Sequence, residues 1–151
     1  KDPSSRKFYD SKSPFTEMAA FFGGGHRNML DLSFARNVNP RWNIGFDFST
    51  ERVRKTLNPS KRDDFMVEQN AYAFHTNYRS ENGRYWLLGS FSRMKHVVNE
   101  IGGIVPTSVD PTSLYFTYED AKVWLQNSRA RELRQEYHLY QEFKLGNGFQ
   151  F

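Results

Sequence analysis

The chain contains no cysteine, which excludes disulfides, thiol nucleophiles and cysteine-ligated zinc. It also lacks any apolar run near the roughly 20 residues that a membrane-spanning helix needs. The mean hydropathy of -0.76 describes, on average, a water-loving chain. That average does not exclude a transmembrane barrel, because only alternate residues of each barrel strand touch lipid. Charge of one sign is not in large excess: 21 Lys and Arg against 17 Asp and Glu leave +4. So small a surplus, with no recognisable motif, gives no indication of nucleic-acid binding. The chain opens Lys1-Asp2-Pro3, without an initiator Met or a charged-then-apolar leader. An exported protein would carry its signal peptide outside this sequence, and an internal piece of something longer is equally open. What is abundant is aromatic. Among 151 residues, 14 Phe, 8 Tyr and 3 Trp make up 17%, which suits either a packed core or the girdles at a membrane's two interfaces.

Two runs set the period. In Leu30-Asp31-Leu32-Ser33-Phe34-Ala35 and Trp42-Asn43-Ile44-Gly45-Phe46-Asp47-Phe48, greasy residues alternate with polar or small ones. Side chains at i and i+2 share one face of a strand, so each run has an apolar side and a polar side. Leu30, Leu32, Phe34, Trp42, Ile44, Phe46 and Phe48 make up the apolar side. Either that side packs on a protein core, or it faces lipid while the polar side lines a lumen.

Further alternation predicts strands over about Phe15 to Phe22, Asn28 to Val38, Trp42 to Arg54, Met66 to Arg79, Arg84 to Val97 and Leu133 to Leu145. Asn82-Gly83, between two strand patterns, is the strongest local hairpin signal. The stretch Tyr118 to Arg134 reads as strand plus loop, with Val123 and Leu125 alternating, in preference to a helical turn that would gather Ala121, Trp124, Leu125 and Ser128. Connections after the second and fourth strands are tight, and those after the third and fifth are long. A meander with short turns at one end and long loops at the other is the pattern of outer-membrane barrels. The Gly23-Gly24-Gly25 connection is short where that scheme wants length. The expected fold is therefore all-β, an antiparallel up-and-down meander forming a sector of a transmembrane β-barrel. Residues 1–151 read as a single partial barrel: an entry segment at 1–14, three strands within 15–56, a hairpin at 65–97, a long outer loop at 98–132 and a last strand at 133–146.

Several segments carry a resemblance. They are Phe8-Tyr9-Asp10 with Ser13-Pro14-Phe15-Thr16, then Ala35-Arg36-Asn37-Val38-Asn39-Pro40-Arg41-Trp42-Asn43-Ile44-Gly45. Further along come Asn77-Tyr78-Arg79-Ser80-Glu81-Asn82-Gly83-Arg84-Tyr85, Glu100-Ile101-Gly102-Gly103-Ile104 and the closing Tyr137-to-Gly146 strand. In this order and spacing the chain resembles the putative porin family of outer-membrane proteins found in Bacteroides-like bacteria. Ile101 and the loop after Asp63 depart from the family's pattern. The resemblance implies an outer-membrane location, a porin-like channel or the barrel component of an envelope transport complex, and only part of a barrel in this chain. Geometry agrees on the last point, because six clear strands, or seven with Val123-Leu125, fall short of the roughly 8 that close the smallest barrel. The missing strands would come from the same polypeptide or from other envelope subunits. The alternative is a soluble all-β ligand- or protein-binding module, which would bury Ile44, Phe46 and Phe48 between sheets.

Nothing in the sequence marks catalysis or a cofactor. His26, His75, His96 and His138 have no metal-ligand spacing, and the glycine clusters lack the Lys-Ser/Thr and helix of a phosphate loop. Asp31 and Asp47 are expected near each other across the Asn39-Pro40 turn as lumen lining, without an acid–base role. If the apolar sides meet lipid, Glu17, Asp31, Asp47, Glu51, Glu136 and Glu142 point inward, with Arg36 and Lys144 as the inward cations near strand ends. Such a lumen would favour cations. Basic residues at the long-loop end, Arg52, Arg54, Lys55, Lys61 and Arg62, then Arg129, Arg131 and Arg134, are candidates for lipopolysaccharide phosphates.

Overall fold

A computed structural model describes residues 13–57, 64–106, 121–146 and 149–150. Six long strands, each hydrogen-bonded to the next in sequence, form one antiparallel meander: β1 (Phe15–Gly23), β2 (Arg27–Asn39), β3 (Trp42–Arg54), β4 (Phe65–Arg79), β5 (Tyr85–Glu100) and β6 (Ser128–Leu145). A two-residue strand, β7 (Phe149–Gln150), pairs with the end of β6. The sheet is not closed, since β1 and β7 are its two ends. β2 to β6 run 13, 13, 15, 16 and 18 residues, well beyond the 5 or 6 usual in soluble sheets. No helix among the described residues is long and apolar enough to cross a membrane.

Local chemistry fixes the tight turns. At the β2–β3 turn the Asn39 carboxamide oxygen accepts the Arg41 amide at 2.9 Å, the side-chain mimicry of a turn that Asn favours. Between β4 and β5, Asn82 Oδ1 accepts from Ser80 Oγ at 2.8 Å and from the Arg84 amide at 3.1 Å. Gly83 there has φ of +65°, which costs a glycine nothing. The Gly23-Gly24-Gly25 segment leads into a single 3-10 turn, Gly24–His26, joining β1 to β2.

Both strands flanking the longest connection run further than alternation predicts: β5 continues to Glu100 and β6 begins at Ser128. The added residues, Ser128-Arg129-Ala130-Arg131-Glu132, are polar on both faces. Backbone pairing needs no apolar side chain, and the register continues unbroken to Glu100↔Ser128. The ambiguous stretch is not helical over its described part. Val123 bridges Ile104, and the Leu125 amide donates to the Ile101 carbonyl at 2.9 Å. Most of the 1–14 entry segment, part of the 98–132 loop and Phe151 lie outside the described residues.

Candidate functional site

Register decides which side chains share a face. One cross-strand row reads Thr16, Phe34, Phe46, Phe74, Phe91 and Tyr137, and the next reads Phe15, Ala35, Gly45, His75, Ser90 and His138. The first row lies on the face that also carries Leu30, Leu32, Trp42, Ile44 and Phe48. Rings on it touch: Phe46–Phe74 centroids are 4.9 Å apart and Phe91–Tyr137 4.8 Å. Towards the tight turns, Tyr78, Tyr85 and Phe143 continue the chain of rings, and Trp42 Nε1 donates to Thr76 Oγ1 at 2.9 Å.

The second row lies on the face with Glu17, Asp31, Asp47, Glu51, Glu136 and Glu142. All six carboxylates of the expected lining thus share one side of the sheet, opposite all seven apolar residues named above. Burial separates the sides. The buried residues of β2, β3 and β4, namely Ala35, Asn43, Gly45, Ala73 and His75, are all on the polar face. Trp42, Ile44, Phe74 and Tyr78 stand exposed on the apolar face. A sheet curled towards its polar side crowds that side, and small residues suit the crowding. At Gly45 the crowding is extreme, because a Cβ there would sit 2.0 Å from His75 Nε2.

The inner carboxylates are held. Ser33 Oγ donates to Asp47 Oδ1 at 2.7 Å, and His75 Nδ1 lies 3.7 Å from Asp47 Oδ2. Arg27 pairs with Glu51 at 2.6 Å and Arg134 with Glu136 at 2.5 Å. These two arginines correct the expected set of inward cations. Arg36 is opposite Ile44, on the apolar face, whereas Lys144 does share the acidic face and pairs with Glu142 at 3.5 Å. Glu132, opposite His96, adds a carboxylate that the shorter predicted strand left in a loop. Among the described residues no group of three or more His, Asp or Glu gathers as metal ligands would.

The basic end is also rearranged. Lys55 is buried, with Nζ 3.8 Å from Asp64 Oδ2, so it is not an outward cation and drops out of the phosphate set. Arg52 is exposed on the apolar face, 3.5 Å from Glu68 and stacked over Phe65 at 5.5 Å. Arg54 is half-buried at the end of β3, and Lys61 and Arg62 lie outside the described residues. Arg131 and Arg129 share the face of Arg52, whereas Arg134 lies on the acidic side. Arg93 and Lys95, unnoticed in the sequence, join the outward group: they are opposite Tyr72 and Asn70.

The upper limit of the apolar band shifts from strand to strand. On β2 polar residues begin at Asn28, on β3 at Thr50, on β4 at Asn70 and on β5 at Arg93. Register carries Arg93 through Tyr72 and Phe48 to Leu32, four positions from Asn28 (32 minus 28) after three strand steps. With about 3.3 Å per residue and about 4.8 Å between strands, the edge crosses the strand rows at roughly 40°.

No curated protein and no solved structure matches this chain. The model of one family, described as Putative porin, matches residues 1–150, nearly the whole length, and the chain belongs to that family.

Proposed function

We propose that this chain is a sector of a bacterial outer-membrane β-barrel, a porin-like diffusion channel or the barrel component of an envelope transport complex. Its aromatic face meets lipid and its carboxylate face lines the lumen. One observation carries the reading: on β2 to β4 every buried residue lies on the face that carries the carboxylates, while Trp42, Ile44, Phe74 and Tyr78 stand exposed on the apolar face. Water would stabilise the opposite arrangement, because exposed apolar area is unfavourable by about 25 cal/mol per Å². Two further features support it. The roughly 40° obliquity of the apolar edge is what a level membrane surface traces on strands tilted 35–45°. The open edges of β1 and β6 would leave backbone groups unpaired in hydrocarbon, at several kcal/mol each, so further strands complete the ring. These come from the same polypeptide or from other subunits.

The central lumen face carries Glu17, Asp31, Asp47, Glu51, Glu132 and Glu136 against Arg27 and Arg134. This sector favours cations over anions. At the long-loop end, Arg52, Arg93, Lys95, Arg129 and Arg131 face outward where lipopolysaccharide phosphates lie, and guanidinium groups bind such phosphates in bidentate fashion. The porin family fits a non-enzymatic role. The soluble-module alternative needs a second layer over Ile44, Phe74 and Tyr137.

The decisive experiment is reconstitution. The protein should require detergent or lipid to fold cooperatively, and the barrel completed by its further strands should conduct in planar bilayers with a reversal potential on the cation-selective side. Cooperative folding as a monomer in plain buffer overturns the membrane reading. Anion preference overturns the selectivity. Unchanged lipopolysaccharide co-purification after neutralising Arg52, Lys95 and Arg131 overturns the phosphate contacts.

A further inference from the structure

At the tight-turn end of the inner face lies a cavity of about 450 Å³ whose chemistry differs from the acidic rows behind it. Asn37, Asn43 and Asn77 stand side by side on β2, β3 and β4. Asn43 Nδ2 donates to Asn37 Oδ1 at 2.5 Å, and Trp86 Nε1 donates to Asn77 Oδ1 at 2.7 Å. Asn43 is only 4% exposed, yet its Oδ1 accepts no hydrogen bond from the described residues. A buried acceptor left in that state costs free energy unless a donor reaches it.

The rim is cationic. Four of the residues lining the cavity are basic: Arg41, Arg79, Arg84 and Lys144. Two are engaged, Arg41 with Glu81 at 2.9 Å and Lys144 with Glu142 at 3.5 Å. Arg79 and Arg84 have no carboxylate partner among the described residues, and Arg79 reaches across Gly83. Trp86 closes the set. Its indole N–H is engaged by Asn77 and its ring is braced edge-on by Tyr140 at 5.9 Å, so an indole face is fixed beside the arginines.

We propose that this cavity is a binding site for an acidic saccharide, a sugar ring bearing a carboxylate. The carboxylate pairs with Arg79 and Arg84, whose forked donors match it in bidentate fashion. A sugar hydroxyl donates to Asn43 Oδ1, and the ring's C–H face lies on Trp86. A simple anion leaves the acceptor and the indole unused, and a neutral sugar leaves the arginines unpaired. The assignment rests on the channel reading only for placing the cavity at a pore mouth.

Calorimetric titration of the detergent-solubilised protein with glucuronate, glucose and acetate tests it, with no conductance required. Glucuronate should bind at least tenfold more tightly than either glucose or acetate. The double substitution Arg79→Gln/Arg84→Gln, at exposed positions beside a turn, should bring glucuronate down to the level of glucose. Asn43→Leu should weaken glucuronate and glucose alike while leaving acetate unchanged. Should Asn43→Leu fail to fold, the arginine pair and the three-ligand ranking still decide. Equal binding of the three probes, no binding of glucuronate, or indifference to the double substitution overturns the site. In bilayers, conduction that glucuronate does not reduce sinks this site and leaves the channel standing; failure to insert, with glucuronate still bound, does the reverse.

Discussion

Phe74 and His75 are neighbours on β4 but live in different surroundings. The Phe74 ring is 51% exposed among other aromatic rings, whereas His75 is 4% exposed, laid flat over Gly45 and beside Asp47. The same reversal holds for Ile44 against Asn43. In a soluble sheet the ring would be the covered member of such a pair and the histidine the wetted one. The molecule is ordered from its charged side, with size complementarity and hydrogen bonds, and its apolar rings are left uncovered.

The comparison breaks first at the exposed rings. Phe74→Arg or Phe46→Arg should destabilise the folded protein in lipid vesicles by roughly 2–4 kcal/mol and block membrane assembly, as read by urea titration and heat-modifiable gel mobility. The same changes on a wetted surface would cost little. Next is the inner fit. Gly45→Ala should cost about 1–3 kcal/mol by overpacking against His75, and His75→Ala in the same chain should recover much of it in a double-mutant cycle. No recovery would mean that the glycine serves backbone freedom instead. Gly83→Ala forces a side chain to φ of +65° and should cost about 1 kcal/mol, measured the same way. Smallest is the Arg27–Glu51 pair, whose side chains are 56% and 24% exposed. Glu51→Gln should cost no more than about 1 kcal/mol, and the loss should shrink as salt is raised.

Much of this was legible in the sequence because period-2 alternation survives intact in β3: Trp42 to Arg54 was expected as a strand and is one, with its two faces as read. The tight turns announced themselves through Asn39-Pro40 and Asn82-Gly83. Legibility fails where the signal is not periodic. β6 starts at Ser128 because pairing is a property of the backbone, so Glu132 entered the inner face unannounced. Lys55 meets Asp64 across a loop, a closure no local pattern encodes. Arg36 is a different case: it follows Phe34 by two residues, so alternation alone already assigned it to the apolar side. The asparagine row and its arginine rim needed the register itself, since Asn37, Asn43 and Asn77 come from three strands.

Alternation has one weakness as a folding instruction. A strand that slides by two positions keeps every side chain on its proper side, so hydrophobicity alone tolerates even-numbered errors in pairing. The Gly45–His75 fit removes that tolerance. Slid one notch either way, the imidazole would meet Asn43 or Asp47, and neither leaves the hollow that a missing Cβ leaves. The pair works as a detent, holding β4 to one alignment on β3.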